Sequence, residues 1–468
     1  MFLPQVLIFS SPIPHILHKS HVPSTSPHIF LSNSLCSPTT PPCSPTSLTP
    51  PVKAQLEEIA VMETEDTGKP IWESRVDIAG CADVIQYYAG ILSTALSGEI
   101  HELGHGRSCH VRKEPLGVVA GIGAWNYPFQ VLAWKAAPAL AAGNTIVFKP
   151  SEFTPLTAVR LAEIFGEAGA PPGVVNIVQG GGGTGQLLSR HPDISKVTFT
   201  GSVATGQAIM RDCAADMKRL TLEMGGKSAL LVLADADLDL AVKATLIGNF
   251  LTQGAVCTNC TRVFVHDSLQ EEFVRRLKNA ARKLKVGDPR MEDTTVGATI
   301  SAAHAAKVES YVTRAVAQGA TLVYGGSRET VPGLEGGVYL RPCILSQCQD
   351  HMDVVQEEVF GSVVSLLTFS SVEEAIARAN KSPFGLAAGV ITRDLQAGQD
   401  AASQLQAGTV WVNDYNVFPP QMPFGGYKLS GLGRENGVEG LLEFVQSKSV
   451  YVNATGSVPS CPLFPSPN

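Results

Sequence analysis

The chain has 468 residues, a formal net charge of -7 and 16% charged residues. That length allows two or three domains around a large core, and an acidic balance without charge blocks offers no basic field for nucleic acid. No uncharged apolar run reaches the roughly 18 residues that a membrane-spanning helix needs, and the ten cysteines are scattered, as in proteins of a reducing compartment such as the cytoplasm.

Residues 1–51 differ from the rest. The run SPTTPPCSPTSLTPP (37–51) is rich in Ser, Thr and Pro, and the first acidic residue is Glu57. Such a composition buries too little apolar surface to offset chain ordering, so 1–52 is expected to be a disordered leader. A mitochondrial transit peptide, the alternative, is also Ser-rich and acid-poor but carries arginines on an amphipathic helix. This segment has no Arg.

From Lys53 the texture is globular. A helical pattern places Leu56, Ile59 and Met62 on one face. Short apolar runs then alternate with helical stretches: LGVVAGIGAW before NYPFQVLAWKAAPAL, TIVFKPSE before TPLTAVRLAEIFGEAG, VVNIVQGGG before TGQLLSRHP, and KVTFTGS before VATGQAIMRDCAAD. Strand–helix alternation of this kind implies an α/β fold with a parallel sheet covered on both faces. A second α/β block follows Glu223 and includes a helix with Leu269, Phe273, Leu277 and Leu284 in register, stopped by Gly287 and Pro289. GEIHELGHGRSCHVRKEP (98–115) and FVQSKSVYVNA (444–454) fit neither block and are expected as extended strands able to pair across subunits.

Several motifs bear on chemistry. HELGH (101–105) matches the zincin pattern, which binds metal only on a helix; Gly98, Gly104 and Gly106 argue against one, and no metal site is expected. QGGGGTGQ (179–186) reads equally as a flexible turn or a nucleotide-binding one. In FTGSVATG (199–206) a strand, Gly201, Ser202 and then a helix start bring free N–H groups together, suiting a pyrophosphate. KPSE (149–152) ends a strand with Lys149 and Glu152; a carboxylate there suits a ribose diol and repels a 2′-phosphate, or is simply a solvated strand end. Asn126 and Tyr127 precede Pro128 in GAWNYPFQ: Asn126 is either a helix cap or an uncharged donor to an oxyanion. Glu223, ending a strand before two glycines, suits a general base. Glu357 and Glu358 lie beside Phe360 in QEEVFGS. The tetrapeptide Cys257-Thr258-Asn259-Cys260 alone does not choose between a metal site, a redox pair and a single nucleophile.

Taken in order, AWNYP, FKPSE, FTGS, LEMGGKS, QGAVC, EEVFG and PFGGYKLSG resemble the NAD(P)-dependent aldehyde dehydrogenase superfamily from about Val52 to about Ala454. The wording GIGAWNYPFQ, NFLTQGxVCxNxTRVFV and DYNV is most similar to its 4-trimethylaminobutyraldehyde and betaine aldehyde branch, which implies a role in carnitine biosynthesis. The resemblance implies a Rossmann-like NAD-binding domain (53–94, 114–223 and 430–443), a catalytic domain (224–429), oligomerisation strands (95–113 and 444–456) and a homotetramer. It makes Cys257 the nucleophile, Asn126 the oxyanion donor together with the Cys257 backbone N–H, and Glu223 the base that activates water. Trp125, Lys149, Glu152, Gly201, Ser202, Val203, Ala204, Thr205, Glu358 and Phe360 fall on cofactor-contacting positions, with NAD favoured over NADP.

Cys260 stands where the family has Gly or Ala. It is expected as a tolerated bystander, with a reversible Cys257–Cys260 disulfide as the sharper alternative. Ala255 and Ser362 replace the usual Gln and Pro. Tyr127 and Trp134, two turns apart on one helix face, and Phe424 are either core or an aromatic cage for a quaternary ammonium, and the resemblance favours the cage. The leader stands where the family has further folded cofactor domain, so an inactive relative is one alternative. A coenzyme A-acylating enzyme is another, disfavoured by Glu223.

Overall fold

The computed structural model describes residues 8–9, 49–458 and 463. A short helix, Thr49–Ala54, begins inside the segment read as leader, with Val52 fully buried; Pro50 and Pro51 are tolerated because they sit in its first turn, where a backbone N–H would have no partner within the helix. Ile8–Phe9 pairs as a two-residue strand with Val175–Val178. The rest of 1–48 lies outside the described residues.

Two seven-stranded sheets organise the chain. In the first, strands run in the order Ile8–Phe9, Val175–Val178, Thr145–Lys149, Val118–Ile122, Ile194–Gly201, Arg219–Met224 and Gly431–Leu432. The five inner strands are parallel and both edge strands antiparallel. Its parallel strands start in the middle with Val118–Ile122, move out through Thr145–Lys149 to Val175–Val178, then return to the other side with Ile194–Gly201. The order therefore reverses between Val118–Ile122 and Ile194–Gly201, and the crevice outside their carboxyl ends is where such sheets bind ligands.

The second sheet runs Thr321–Tyr324, Cys343–Ser346, Val363–Phe369, Arg262–His266, Ala229–Val232, Ala387–Ile391 and Thr409–Val412. Only its first strand is antiparallel. Its central strands are apolar almost throughout, as a sheet covered on both faces requires. The predicted helix over 269–284 is Gln270–Ala281, with Phe273 and Leu277 buried.

The two segments that fitted neither block form a third sheet: Glu99–Gly104 pairs with Arg107–Pro115, which pairs in turn with Val445–Asn453. His101 lies in the outer strand and His105 in its turn, so the HELGH histidines do not share a helix face. Among the described residues no helix is long and apolar enough to cross a membrane.

Beside the first sheet, the 25-residue helix Ile71–Ala95 packs on Pro128–Ala141. Their contact carries the largest core cluster, including Ile78, Ile85, Phe129 and Leu132, and one end of it closes onto the cavity described next.

Candidate active site

A cavity of about 630 Å³ opens between the two sheets, at the carboxyl ends of the first sheet's strands and along the segments that lead into the strands Ala229–Val232, Arg262–His266 and Val363–Phe369 of the second. Asn126, Glu223 and Cys257 all line it, although 131 positions separate the first from the last. Asn126 is buried but does not cap the helix that follows, which starts at Pro128 with no side-chain cap. Its Nδ2 donates instead to the Ala255 carbonyl at 2.8 Å, tying the helix start to the Cys257 loop. A side-chain amide has two N–H groups, so one remains for another acceptor.

Glu223 lies near the end of the strand Arg219–Met224, 3% exposed, and among the described residues neither carboxyl oxygen has a hydrogen-bond partner. Burial, foremost, and the charge of Glu435 raise its pKa well above the usual carboxylate range. Glu435, also on the cavity wall, forms a short contact with the buried Lys135 ammonium, which also donates to Thr200 Oγ1 at 2.7 Å. Burial, then the charges of Glu358 and Glu223, push the Cys257 thiol up as well.

Glu358 Oε1 accepts the Gly226 N–H at 3.3 Å, and its carboxyl is pushed up to about 7 by burial above all. Gly225 makes room for this carboxyl, since a Cβ there would lie 1.9 Å from Glu358 Oε2 where it now stands. Phe360 stands at φ 58, and its carbonyl accepts His304 Nε2 at 2.7 Å. Trp125, His304 and Phe360 meet edge to face, with centroids 5.2 to 6.2 Å apart.

At the crevice, Gly201, Ser202 and Thr205 line the cavity, and Ser202 Oγ caps the helix Val203–Ala214 by accepting the Thr205 N–H. Val203 and Ala204 sit on that first turn beside the wall. Glu152 lines this cavity and a second one of about 580 Å³ bounded by Leu156, Val159 and Gly180. The Lys149 ammonium donates to the carbonyls of Pro150 and Gly180 at 2.7 and 2.6 Å, tying the strand end to the glycine loop, and lies 3.6 Å from Glu152 Oε2. That loop is a built turn, because a Cβ on Gly180 (φ 145) would lie 2.1 Å from Thr184 Oγ1.

Opposite the crevice, Trp134, Phe418 and Phe424 form an aromatic wall with centroids 5.5 to 6.3 Å apart. Phe418 was missed in the sequence, where DYNVFPP reads as a loop. Tyr127 also lines the cavity, but the Lys69 ammonium lies 3.9 Å from its ring centre. Asp77, on the same wall, accepts Lys69 Nζ at 2.7 Å, and Glu63 accepts it at 3.2 Å. With Glu73, three carboxyl groups thus face one ammonium. Burial opposes the Lys69 charge, yet Asp77 and Glu63 hold its pKa above the usual value.

Cys260 does not join Cys257. It is fully buried against the second sheet's core, its Sγ 3.4 Å from Asn249 Nδ2, and Gly248 leaves it room, since a Cβ there would lie 2.4 Å from that sulfur. Cys257 packs instead against the other cluster and both thiols are free. Of the two readings of Cys260, these placements agree better with the tolerated bystander than with a reversible Cys257–Cys260 disulfide, since the intervening turn sends the two side chains to different cores. Among the described residues no group of three or more His, Cys, Asp or Glu side chains could hold a metal ion.

The model of the aldehyde dehydrogenase family matches residues 48–450. Betaine aldehyde dehydrogenase of Vibrio vulnificus (strain YJ016) is 52% identical over 402 residues, 86% of this chain and 82% of that protein. 4-Trimethylaminobutyraldehyde dehydrogenase of Mus musculus is 50% identical over 403 residues, 86% of this chain and 81% of that one. Among solved structures, betaine aldehyde dehydrogenase of Staphylococcus aureus in complex with NAD+ has a TM-score of 0.86 at 39% identity, covering 89% of this chain and 83% of that chain.

Proposed function

The chain belongs to the aldehyde dehydrogenase family, and on that premise we propose that it oxidises a cationic aldehyde, of the trimethylammonium class, to the carboxylic acid with NAD. The observation that carries this reading is a single cavity in which Cys257, Asn126 and Glu223 meet an aromatic wall and the half-buried acid Asp77.

The Cys257 thiol passes its proton by way of Glu223 to solvent, and the Sγ thiolate adds to the aldehyde carbon, giving a thiohemiacetal whose oxyanion is held by the free Asn126 amide N–H and the Cys257 backbone N–H. NAD, when bound, supplies the acceptor for the hydride that leaves this carbon, and a thioester on Cys257 results. Glu223 takes a proton from water, the water attacks the thioester carbonyl, and the acid departs as the Cys257 thiol is restored. The Glu435–Lys135 pair beside Glu223 offers the next stations for that proton. A base in the cavity favours hydrolysis over transfer of the acyl group to coenzyme A.

The crevice residues fit a dinucleotide. The strand order reverses there, the capped helix after Ser202 presents its free N–H groups for the pyrophosphate, and the half-exposed Glu152 carboxylate, paired on one side with Lys149, can accept from a ribose diol. Lys149 shares its charge between two carbonyls and Glu152 Oε2, 3.6 Å away, and the Glu152 carboxylate in this crevice disfavours a 2′-phosphate, which supports NAD over NADP. Phe360, Trp125 and Glu358 would bound the nicotinamide end. On the substrate side, aromatic faces and an excess of carboxyls favour a cation.

The test is NADH formation, followed by absorbance, from betaine aldehyde, 4-trimethylaminobutyraldehyde and an uncharged aliphatic analogue. The reading requires a higher kcat/KM for the cationic pair. Equal values for all three would remove the substrate assignment, and no NADH from any would remove the activity. We further assign the third sheet, with its exposed outer strand Glu99–Gly104, to assembly of a homotetramer.

A further inference from the structure

The segment carrying Cys257 enters the cavity through a turn in which two consecutive residues are left-handed: Thr252 (φ 49, ψ 43) and Gln253 (φ 53, ψ 29). A β-branched residue in this region is a true outlier, and such strain persists only where the surroundings over-determine it. Here a carboxylate 179 positions away does so. Thr252 donates its N–H and its Oγ1–H to Glu73 Oε2, at 2.7 and 2.9 Å. Tyr127 Oη pairs with Thr252 Oγ1 at 2.8 Å, and Gln253 Nε2 donates to the Gly68 carbonyl. The turn leads to Ala255, whose carbonyl receives Asn126, and two residues later to Cys257.

A purely structural role would have Glu73 serve the buried Lys69. Lys69 Nζ, however, donates to Glu63 and Asp77 instead, and the hydrogen bonds of Glu73 go to Thr252. Its other oxygen, Oε1, is buried without a partner among the described residues.

We infer that Glu73 is a positioning residue for the nucleophile: by clamping the left-handed Thr252 turn it fixes where Cys257 Sγ stands relative to Asn126 and Glu223. The inference rests on Cys257 being the nucleophile. It also gives the acid cluster two duties on one helix, since Asp77, one turn beyond Glu73, faces the substrate cavity.

The experiment compares wild type, Glu73→Ala, Glu73→Gln, Thr252→Gly and the double variant Glu73→Ala/Thr252→Gly. Each is measured for the rate of Cys257 alkylation by iodoacetamide, mapped by mass spectrometry, and for kcat and the KM for NAD. Glu73→Ala should slow alkylation and kcat by about 10- to 100-fold with the KM for NAD little changed. Glu73→Gln keeps an acceptor and should stay within about threefold of wild type. Glycine adopts φ near +50° without a clamp, so the double variant should regain about threefold or more over Glu73→Ala.

Alkylation of Glu73→Ala at the wild-type rate, or no recovery from glycine at 252, overturns the inference. Should Glu73→Ala not fold, Thr252→Val keeps the branched strain and drops the Oγ donor, and equality with wild type overturns it equally. A wild type that forms no NADH, or is alkylated elsewhere, overturns the nucleophile assignment itself. A normal wild type with an indifferent Glu73→Ala overturns only the clamp.

Discussion

The Lys69 ammonium sits 3.9 Å from the centre of the Tyr127 ring, so one face of that ring is already taken by the protein's own cation. The rings left to receive a substrate cation are those of Trp134, Phe418 and Phe424. Each ring contributes about 0.5–2 kcal/mol. Trp134→Ala or Phe418→Ala should therefore raise the KM for a trimethylammonium aldehyde by about 2- to 30-fold, with much less change for a neutral isostere. A Trp134→Ala enzyme that keeps its full preference for the cation would defeat the cage.

Glu223 must lose a proton to act, and burial with Glu435 nearby holds that proton well above the usual carboxylate range. The rate of thioester hydrolysis should accordingly rise with pH across the neutral to alkaline range. Glu223→Gln should release about one equivalent of NADH per site in a burst and then turn over roughly 100-fold more slowly or worse. A steady state without a burst, or an unchanged pH profile in this variant, would place the base elsewhere.

Cys260 lies in a separate core from Cys257. Cys260→Ala should leave inactivation by hydrogen peroxide unchanged, because the sensitive thiol is Cys257 alone. The core substitution should cost about 1 kcal/mol of stability, visible as a slightly lowered Tm. Protection from peroxide in this variant would reinstate the vicinal disulfide.

Burial, chiefly, raises the Glu73 carboxyl from 4.5 to about 8. A folded state that binds this proton more tightly than the unfolded chain draws stability from it below about pH 4.5 and loses it as pH rises through about 8. Tm should fall between pH 5 and 9 by an amount to which Glu73 contributes, and Glu73→Gln should flatten that slope. Glu63 and Asp77 are raised by burial in the same sense, so some slope remains. An identical slope in the two proteins would show that Glu73 folds as it unfolds, ionised.

Much of this protein is local in its sequence. Strand–helix alternation specified two parallel α/β blocks, and Gly201-Ser202 before a helix marked a ligand-binding helix start, because hydrophobic period and capping are properties of neighbouring residues. Motif order alone indicated Cys257, Asn126 and Glu223 as a set. What depended on the tertiary structure was every relationship between distant charges and rings. The helix pattern at Leu56, Ile59 and Met62 gave no sign that Glu63 and Lys69 are buried with Glu73 and Asp77, since a carboxylate is tolerated inside only when its partner arrives from elsewhere in the fold. Likewise CTNC is one tetrapeptide in sequence and two cores in space. A thiol's role depends on which cavity its sulfur faces, and only the packing of Gly248 and Asn249 around Cys260 decided that.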